Sequence, residues 1–123
     1  MMNECILGIG SNINADENIR RMLCLLAKDH WVGKHSSWLK TAPIGITDQD
    51  DFVNGAVHVK TNHGIEEFTK YLKQLEDKLG RDRTLPKFGP RTIDLDIVVW
   101  NGEIKDQDYH TRDFVKDSVD QLL

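Results

Sequence analysis

Two aspartates in the segment Arg91-Thr-Ile-Asp-Leu-Asp-Ile97 combine residue type and spacing in a way that predicts chemistry. On a β-strand Asp94 and Asp96 share one face, about 6.6 Å apart along the chain, and the apolar residues beside them face a core. Neighbouring carboxylates repel each other and attract a cation. Oxygen ligands suit Mg²⁺, which also takes phosphate oxygens from a substrate. Taken alone, the pair fits two ordinary aspartates on a solvent-facing strand edge equally well.

Basic residues directly precede the two aspartates. The eleven residues from Arg81 to Arg91 have a net charge of +3 in a chain whose net charge is −4, and their basic members are Arg81, Arg83, Lys87 and Arg91. The arginine fork donates two parallel hydrogen bonds to phosphate, and phosphoryl transfer depends on positioning and charge neutralisation. The segment therefore predicts phosphate binding. The alternatives are a solvated basic loop and a small nucleic-acid patch, although Phe88 is the one aromatic residue among the basic ones.

Two further segments indicate a binding pocket. Gly8-Ile-Gly-Ser-Asn12 lacks the third glycine of the dinucleotide fingerprint, and the chain has no Walker loop, so these glycines predict a tight turn beside the site. Thr41-Ala-Pro-Ile-Gly45 and the nearby Phe52 and Asn54 combine apolar surface, a flat ring and an amide, which a planar heterocycle requires. The alternative is that Phe52 belongs to the core and Asn54 caps a strand end.

Composition narrows the class of protein. A chain of 123 residues with 39% hydrophobic and 29% charged residues predicts one soluble domain spanning residues 1–123. The negative charge argues against a nucleic-acid partner, and we find no apolar run long enough for a membrane span and no secretory signal. We therefore expect a cytoplasmic protein, monomeric or weakly dimeric. Cys5 and Cys24 are interpreted as small buried hydrophobic residues, and the five histidines show no zinc-site spacing.

The elements that must position these residues alternate in type. Hydrophobic periodicity predicts helices at 15–29 and 65–79 and a short terminal helix from Tyr109. It predicts strands at 5–9, 35–41, 52–61 and 92–100. Asn14 and Glu17 resemble a capping box, Gly80 fits a left-handed helix end, and Asn101-Gly102 is a turn signal. The order β-α-β-β-α-β predicts an α+β, ferredoxin-like antiparallel sheet with helices packed on one face.

Three blocks of sequence resemble the hydroxymethyldihydropterin pyrophosphokinase family of folate biosynthesis. They are Leu7–Asn12, then Thr41–Gly45 with Gln49–Asn54, and finally Glu76–Arg81 together with Gly89–Ile97, the last of which matches the family signature almost letter for letter. The resemblance runs from about Cys5 to Gly102. It implies a ferredoxin-like fold and transfer of pyrophosphate from ATP to the hydroxymethyl group of 6-hydroxymethyl-7,8-dihydropterin, with release of AMP.

The resemblance also implies roles for individual residues. Asp94 and Asp96 would hold two Mg²⁺ ions and, with Arg81 and Arg91, form the catalytic group. ATP would contact Arg81 and Arg91 and, in addition, Glu76, Arg83, Lys87, Ile97 and Arg112. The pterin would contact Thr41, Ala42, Ile44, Phe52, Asn54 and Phe114.

The chain departs from the family pattern in two ways. Family members usually have Pro at Ala42 and Trp at Phe88, and often Arg at Lys87. The stretch before Arg112-Asp-Phe114, which resembles the family's Arg-x-Phe segment, is shortened, and Tyr109-His110 does not align cleanly. We therefore expect a compact family member with a shortened C-terminal region. The alternatives are a catalytically weak relative that binds ATP or a pterin, and a ferredoxin-like interaction domain without a small-molecule site.

Overall fold

Four helices and six strands make up the described part of the chain, residues 2–85 and 89–123, in a computed structural model. The strands are β1 (Asn3–Ser11), β2 (Trp31–His35), β3 (Leu39–Thr41), β4 (Phe52–Thr61), β5 (Asp94–Trp100) and β6 (Glu103–Ile104). The helices are α1 (Ala15–Asp29), α2 (Ile65–Lys78), α3 (Asp108–Thr111) and α4 (Asp113–Asp120). The predicted bounds of α1 and β4 are therefore confirmed. None of the helices in these ranges is long and apolar enough to cross a membrane.

The strands form one antiparallel sheet in the order β2-β4-β1-β5-β6. β3 pairs with residues 52–54 at the start of β4, whereas β2 pairs with residues 57–60 of the same strand. The two longest strands, β1 and β4, pair along their full length from Asn3 opposite Thr61 to Ser11 opposite Val53. On its other side β1 pairs with β5, which places Gly8 opposite Asp96 and Gly10 opposite Asp94. The α+β, ferredoxin-like architecture is confirmed. Its three central strands are β4, β1 and β5, and both aspartates lie at the start of β5.

Apolar side chains cover both faces of this sheet. The larger cluster packs α1 and α2 against one face through fully buried residues such as Leu7, Met22 and Phe68. The smaller cluster packs α4 against the other face, where Val119 meets Ile6 and Val98. The prediction of helices on one face was therefore wrong, because the apolar stripe of α4 buries the second face.

The predicted strand over 35–41 was also wrong. The structure forms β2 directly after α1 and β3 after a break at residues 36–38. Side-chain packing explains the break, since Trp38 lies over Gly55, where an added Cβ would come within 2.3 Å of the indole ring. The Ser36 hydroxyl accepts a hydrogen bond from the Ala56 amide at 2.8 Å, which joins the break to β4.

Turns and helix ends follow the sequence signals in part. Gly80 has φ +87°, as the predicted left-handed helix end requires, and Asn101 and Gly102 are both left-handed before β6. The capping box was wrong. Asn14 is itself left-handed at φ 44° and its side chain caps no helix amide. Cys5 is buried as expected, whereas Cys24 is exposed on α1.

The C-terminal segment forms two short helices rather than the one predicted. Arg112 separates α3 from α4 with an extended backbone at φ −127°. The Tyr109 hydroxyl donates to the Asp120 carboxylate at 2.6 Å, which holds the two helices together. This arrangement turns Arg112 and Phe114 toward the sheet end that carries the aspartates.

Candidate active site

The candidate site begins as a row of residues across the three central strands. Strand pairing places Asn54 beside Gly10 and Gly10 beside Asp94. A Cβ at Gly10 would lie 3.2 Å from the Asn54 side-chain oxygen and 3.9 Å from the Phe52 ring. The missing side chain therefore leaves a flat strip of backbone between an amide on one side and a carboxylate on the other.

A cavity of about 400 Å³ opens above this strip. The structure brings the residues predicted for the pterin and most of those predicted for the metal and phosphates to its walls: Thr41, Ala42, Ile44, Phe52, Asn54, Arg91, Asp94, Asp96, Arg112 and Phe114. The loop after β3, the start of β4, β5 and the start of α4 each supply one part. The cavity therefore joins an apolar, aromatic side to an acidic side.

Asp94 is neutralised by two arginines. One carboxylate oxygen accepts from Arg81 at 3.1 Å and the other from Arg91 at 2.8 Å. The side chains of the three residues are between 14% and 27% exposed, so water screens these pairs less than it would at an open surface. Arg81 and Arg91 of the basic segment thus form one ion-paired group with the first aspartate, as the proximity of the residues in sequence predicted.

Asp96 lies in a different electrostatic environment. Its residue is exposed at the cavity, and within residues 2–85 and 89–123 the charged groups that shift its pKa most are all carboxylates. Burial by the surrounding protein and the negative charge of Asp94, followed by those of Asp106, Glu76 and Asp108, raise its pKa to about 7. Asp96 therefore needs either a proton or another cation at neutral pH.

Glu76 anchors the basic segment from the side of α2. It is 4% exposed, and one oxygen accepts from the Leu95 amide at 2.7 Å. Its other oxygen pairs with Arg81 at 3.2 Å and Arg83 at 3.0 Å. Burial raises the pKa of Glu76 and the nearby Asp94 raises it further, while the Leu95 amide and the two arginines act in the opposite direction. The residue fixes both guanidinium groups against β5.

A second cavity of about 300 Å³ lies on this side of β5. It is lined by Glu76, Arg81, Arg83 and Ile97, and it shares Arg91, Asp94 and Asp96 with the first cavity. Arg83 is 43% exposed and also pairs with Asp77 at 3.0 Å. The residues predicted to contact ATP therefore gather around β5, apart from Arg112 in the first cavity and Lys87, which lies outside the described residues together with Phe88.

The side of the cavity away from the acidic residues is shaped by β3 and β4. Thr41 pairs with Phe52 across the two strands, and the Asn54 amide donates to the Thr41 hydroxyl at 2.5 Å. Asn54 is 8% exposed and lines the first cavity. This geometry suits the edge of a flat heterocycle.

The donor set fits Mg²⁺. Within the described ranges no group of three or more His, Cys, Asp or Glu side chains could hold a metal ion, so Asp94 and Asp96 would act as a pair. Mg²⁺ is commonly held by one or two carboxylates, with water and phosphate oxygens completing its shell. A carboxylate oxygen has two lone pairs, so Asp94 can bind a cation while it still accepts from its arginines. Among the described residues the strongest charged influences on Asp96 are negative, which agrees with such a cation.

Comparison with known proteins identifies the family. The family model described as 7,8-dihydro-6-hydroxymethylpterin-pyrophosphokinase (HPPK) matches residues 6–123. The chain belongs to this family. The residues that match the HPPK model include both cavities and every site residue named above.

Several curated HPPK relatives agree. The 2-amino-4-hydroxy-6-hydroxymethyldihydropteridine pyrophosphokinase of Bacillus subtilis is 40% identical over 106 residues, which are 84% of this chain and 63% of that protein. The protein of the same name from Haemophilus influenzae is 32% identical over 121 residues, 89% of this chain and 74% of the relative. A mitochondrial folate synthesis bifunctional protein of Arabidopsis thaliana is 38% identical over 99 residues, 79% of this chain and 18% of its own length. The chain thus spans less than two thirds of the Bacillus relative and about a fifth of the plant one.

Sequence reasoning missed three residues at or beside the candidate site, which are Asp106, Asp108 and Asn12. Asp106 and Asp108 line the first cavity, and Arg112 pairs with Asp108 at 3.5 Å. The alternating Asp-Gln-Asp repeats the spacing of Asp94 and Asp96, which was a usable signal. The role of Asn12, which is 6% exposed, had no such signal, because its partners lie 37 or more residues away.

Proposed function

We propose that this chain transfers the β,γ-pyrophosphoryl group of ATP to the hydroxymethyl oxygen of 6-hydroxymethyl-7,8-dihydropterin in folate biosynthesis. The observation that carries the proposal is one cavity that joins the Asp94 and Asp96 pair to the Asn54 and Phe52 wall. In this reaction the hydroxymethyl oxygen bonds to the β-phosphorus and the bond between that phosphorus and the α,β-bridging oxygen breaks. AMP leaves with the bridging oxygen, and the hydroxyl proton passes to solvent.

The acidic side of the cavity supports the phosphate end of the reaction. Asp94 and Asp96 would hold two Mg²⁺ ions, which when bound neutralise charge on the triphosphate and lower the pKa of the hydroxyl. Arg81 and Arg91 direct guanidinium groups at the same point and stabilise charge that develops on the transferred group. Arg83, Lys87 and Arg112 would contact other phosphate oxygens, and Glu76 and Ile97 would contact the nucleoside.

The apolar side supports recognition of the pterin. Asn54 presents a donor and an acceptor to the ring edge, and Thr41 orients that amide. Phe52 and Phe114 enclose the flat ring as aromatic surfaces, with Ala42 and Ile44 at its margin. The hydroxymethyl group of a pterin held there would point along the Gly10 strip toward Asp94.

The test is incubation of the chain with MgATP and 6-hydroxymethyl-7,8-dihydropterin, with AMP as the measured product. We expect AMP only when both substrates and Mg²⁺ are present. Calorimetric binding of either ligand without AMP would replace the enzyme by the alternative, a catalytically weak relative that serves as a binding module. Absence of both AMP and binding would refute the proposal altogether.

Further parts of the proposal concern the protein as a whole. We propose that residues 1–123 act as one pyrophosphokinase domain in the cytoplasm, as a monomer or weak homodimer. Its partners are the two small molecules, with no nucleic acid and no membrane among them. Sedimentation at micromolar concentration would test the oligomeric state, and a mass of one or two chains is the expected result.

A further inference from the structure

Asn12 connects the two sides of the cavity, and its hydrogen bonds to the described residues reach chain segments that carry site residues. It follows β1 and is 6% exposed. Its amide nitrogen donates to the Gln49 side-chain oxygen at 2.9 Å and to the Asp50 carbonyl at 3.0 Å. Its side-chain oxygen accepts from the Arg91 amide at 2.8 Å. One buried amide therefore bridges the loop after β3 and the segment before β5.

On the apolar side, the contact with Gln49 continues into the loop that carries Ala42 and Ile44. The Gln49 side-chain nitrogen donates to the Ile46 carbonyl at 2.7 Å, and the Ile46 amide donates to the Ile44 carbonyl at 3.1 Å. These bonds form a continuous path from Asn12 to the proposed pterin wall. A shift of the loop on ligand binding would therefore move the side-chain amide of Asn12 through these hydrogen bonds.

On the acidic side, the contact with Arg91 is held twice. The backbone N–H of Arg91 donates to the side-chain oxygen of Asn12, and the backbone N–H of Asn12 donates to the Arg91 carbonyl at 3.1 Å. The Arg91 guanidinium then binds Asp94, which also binds Arg81. The position of the Arg91 backbone thus sets where one of the two guanidinium groups meets the proposed metal and phosphate site.

We propose that Asn12 is a positioning residue that couples the pterin side of the cavity to Arg91. This inference rests on the proposed function and adds a residue to it. Binding of the pterin against the 42–51 loop fixes Gln49 and Asp50, and through Asn12 it fixes the Arg91 backbone. By linkage, nucleotide binding at Arg91 must raise the affinity for the pterin by the same factor.

The experiment measures that coupling factor directly. The pterin Kd is determined by calorimetry with and without saturating Mg²⁺ and α,β-methylene ATP, which binds but cannot transfer its pyrophosphoryl group. In the wild-type chain we expect the nucleotide to tighten pterin binding about fivefold or more. In Asn12→Ala the ratio of the two Kd values should fall to within about twofold of one, because the side chain that bridges the loop and Arg91 is lost. In Gln49→Ala the ratio should fall at least about twofold, because the path from Asn12 through Gln49 to Ile46 is lost while the bond to the Asp50 carbonyl remains.

Asn18 provides a matched control. It is also 6% exposed, and its side-chain amide donates to the neighbouring Ile13 carbonyl at 2.6 Å rather than to a cavity segment. Asn18→Ala should lower Tm as a buried amide substitution does, yet it should keep the wild-type coupling factor. A purely structural role for Asn12 predicts that Asn12→Ala and Asn18→Ala behave alike.

Each outcome decides the matter. A wild-type factor of one, an unchanged factor in Asn12→Ala, or an equal loss in Asn18→Ala overturns the inference while leaving the proposed function in place. If Asn12→Ala does not fold, Gln49→Ala decides alone, and a wild-type factor there overturns the inference. Failure of the wild-type chain to bind either ligand would refute the proposed function, and the inference with it.

Discussion

Replacement of Asp96 by asparagine is expected to stabilise the metal-free chain while abolishing turnover. The surroundings of Asp96 raise its pKa from 3.8 to about 7, so the folded state holds the proton more tightly than the unfolded state does. For a carboxyl group with a raised pKa, the free energy of unfolding falls as pH rises from about 4 to about 7 and is constant above. At pH 8 the wild-type chain therefore carries the full cost of the charged Asp96, and asparagine removes it.

The size of this effect follows from the pKa shift and the exposure of the group. The whole shift corresponds to about 4 kcal/mol at about 1.36 kcal/mol per pKa unit. The carboxylate opens to the water of the cavity, and screening there reduces the effect to about 1–2 kcal/mol. At pH 8 in EDTA we expect Asp96→Asn to raise Tm by roughly 3–8 °C. At pH 4 we expect the two chains to melt within about 2 °C of each other, because the wild-type carboxyl is then protonated.

Asp94→Asn is the matched comparison, because it also removes one proposed metal ligand. Its carboxylate is bound to Arg81 and Arg91, so its removal leaves two guanidinium groups with less compensation. We expect Asp94→Asn to destabilise the chain by about 1–3 kcal/mol at pH 8, opposite in sign to Asp96→Asn. Both variants should form no AMP. Calorimetric melts in EDTA at pH 4, 6 and 8 check the signs, and an Asp96→Asn chain less stable than wild type at pH 8 would refute the reasoning.

Three further predictions address the floor of the cavity, the buried anchor and the far end of α1. Gly10→Ala should weaken pterin binding about tenfold in calorimetry, since the new Cβ would lie 3.2 Å from the Asn54 oxygen, while Gly64→Ala, whose Cβ meets no atom within 4 Å, should not. Glu76→Gln should lower the free energy of unfolding in urea by about 2–4 kcal/mol, because it breaks buried ion pairs. Asp77→Asn, at an exposed ion pair, should lower it by less than about 1 kcal/mol, and equal losses of stability in the two variants would contradict the role of burial. Burial and the nearby His63 lower the pKa of His30, so in the Asp96→Asn background stability should fall as pH drops below 6.5. His30→Phe in that background should flatten this dependence in denaturant titrations.

Local sequence signals predicted the elements that are self-contained. The helical stripe of α2 and the alternation of β4 depend on neighbours close in the chain, and both elements formed where they were expected. The left-handed Gly80 and the Asn101-Gly102 turn are likewise local choices of backbone conformation. Prediction from the sequence therefore succeeded for these elements, although the capping box of α1, which is also a local signal, did not form.

Features that depend on distant partners were not predictable in this way. The break between β2 and β3 depends on Trp38 packing over Gly55, seventeen positions along the chain, which strand propensity does not register. The face chosen by α4 depends on apolar residues of three different strands. Most residues of the candidate site were predicted from motif spacing and family resemblance, whereas the bridge through Asn12 depends on contacts that exist only after folding.

The pairing of Arg81, Arg83 and Arg91 with protein carboxylates has a consequence for selectivity. A free anion such as inorganic phosphate would have to take these guanidinium groups away from Asp94, Glu76 or Asp77, and so would exchange one negative partner for another. An anion that arrives with divalent metal also brings the positive charge that Asp96 needs, and it leaves the internal pairs largely intact. On the proposed function, these pairs would therefore disfavour the abundant small anions of a cell and favour polyphosphate that arrives together with its metal.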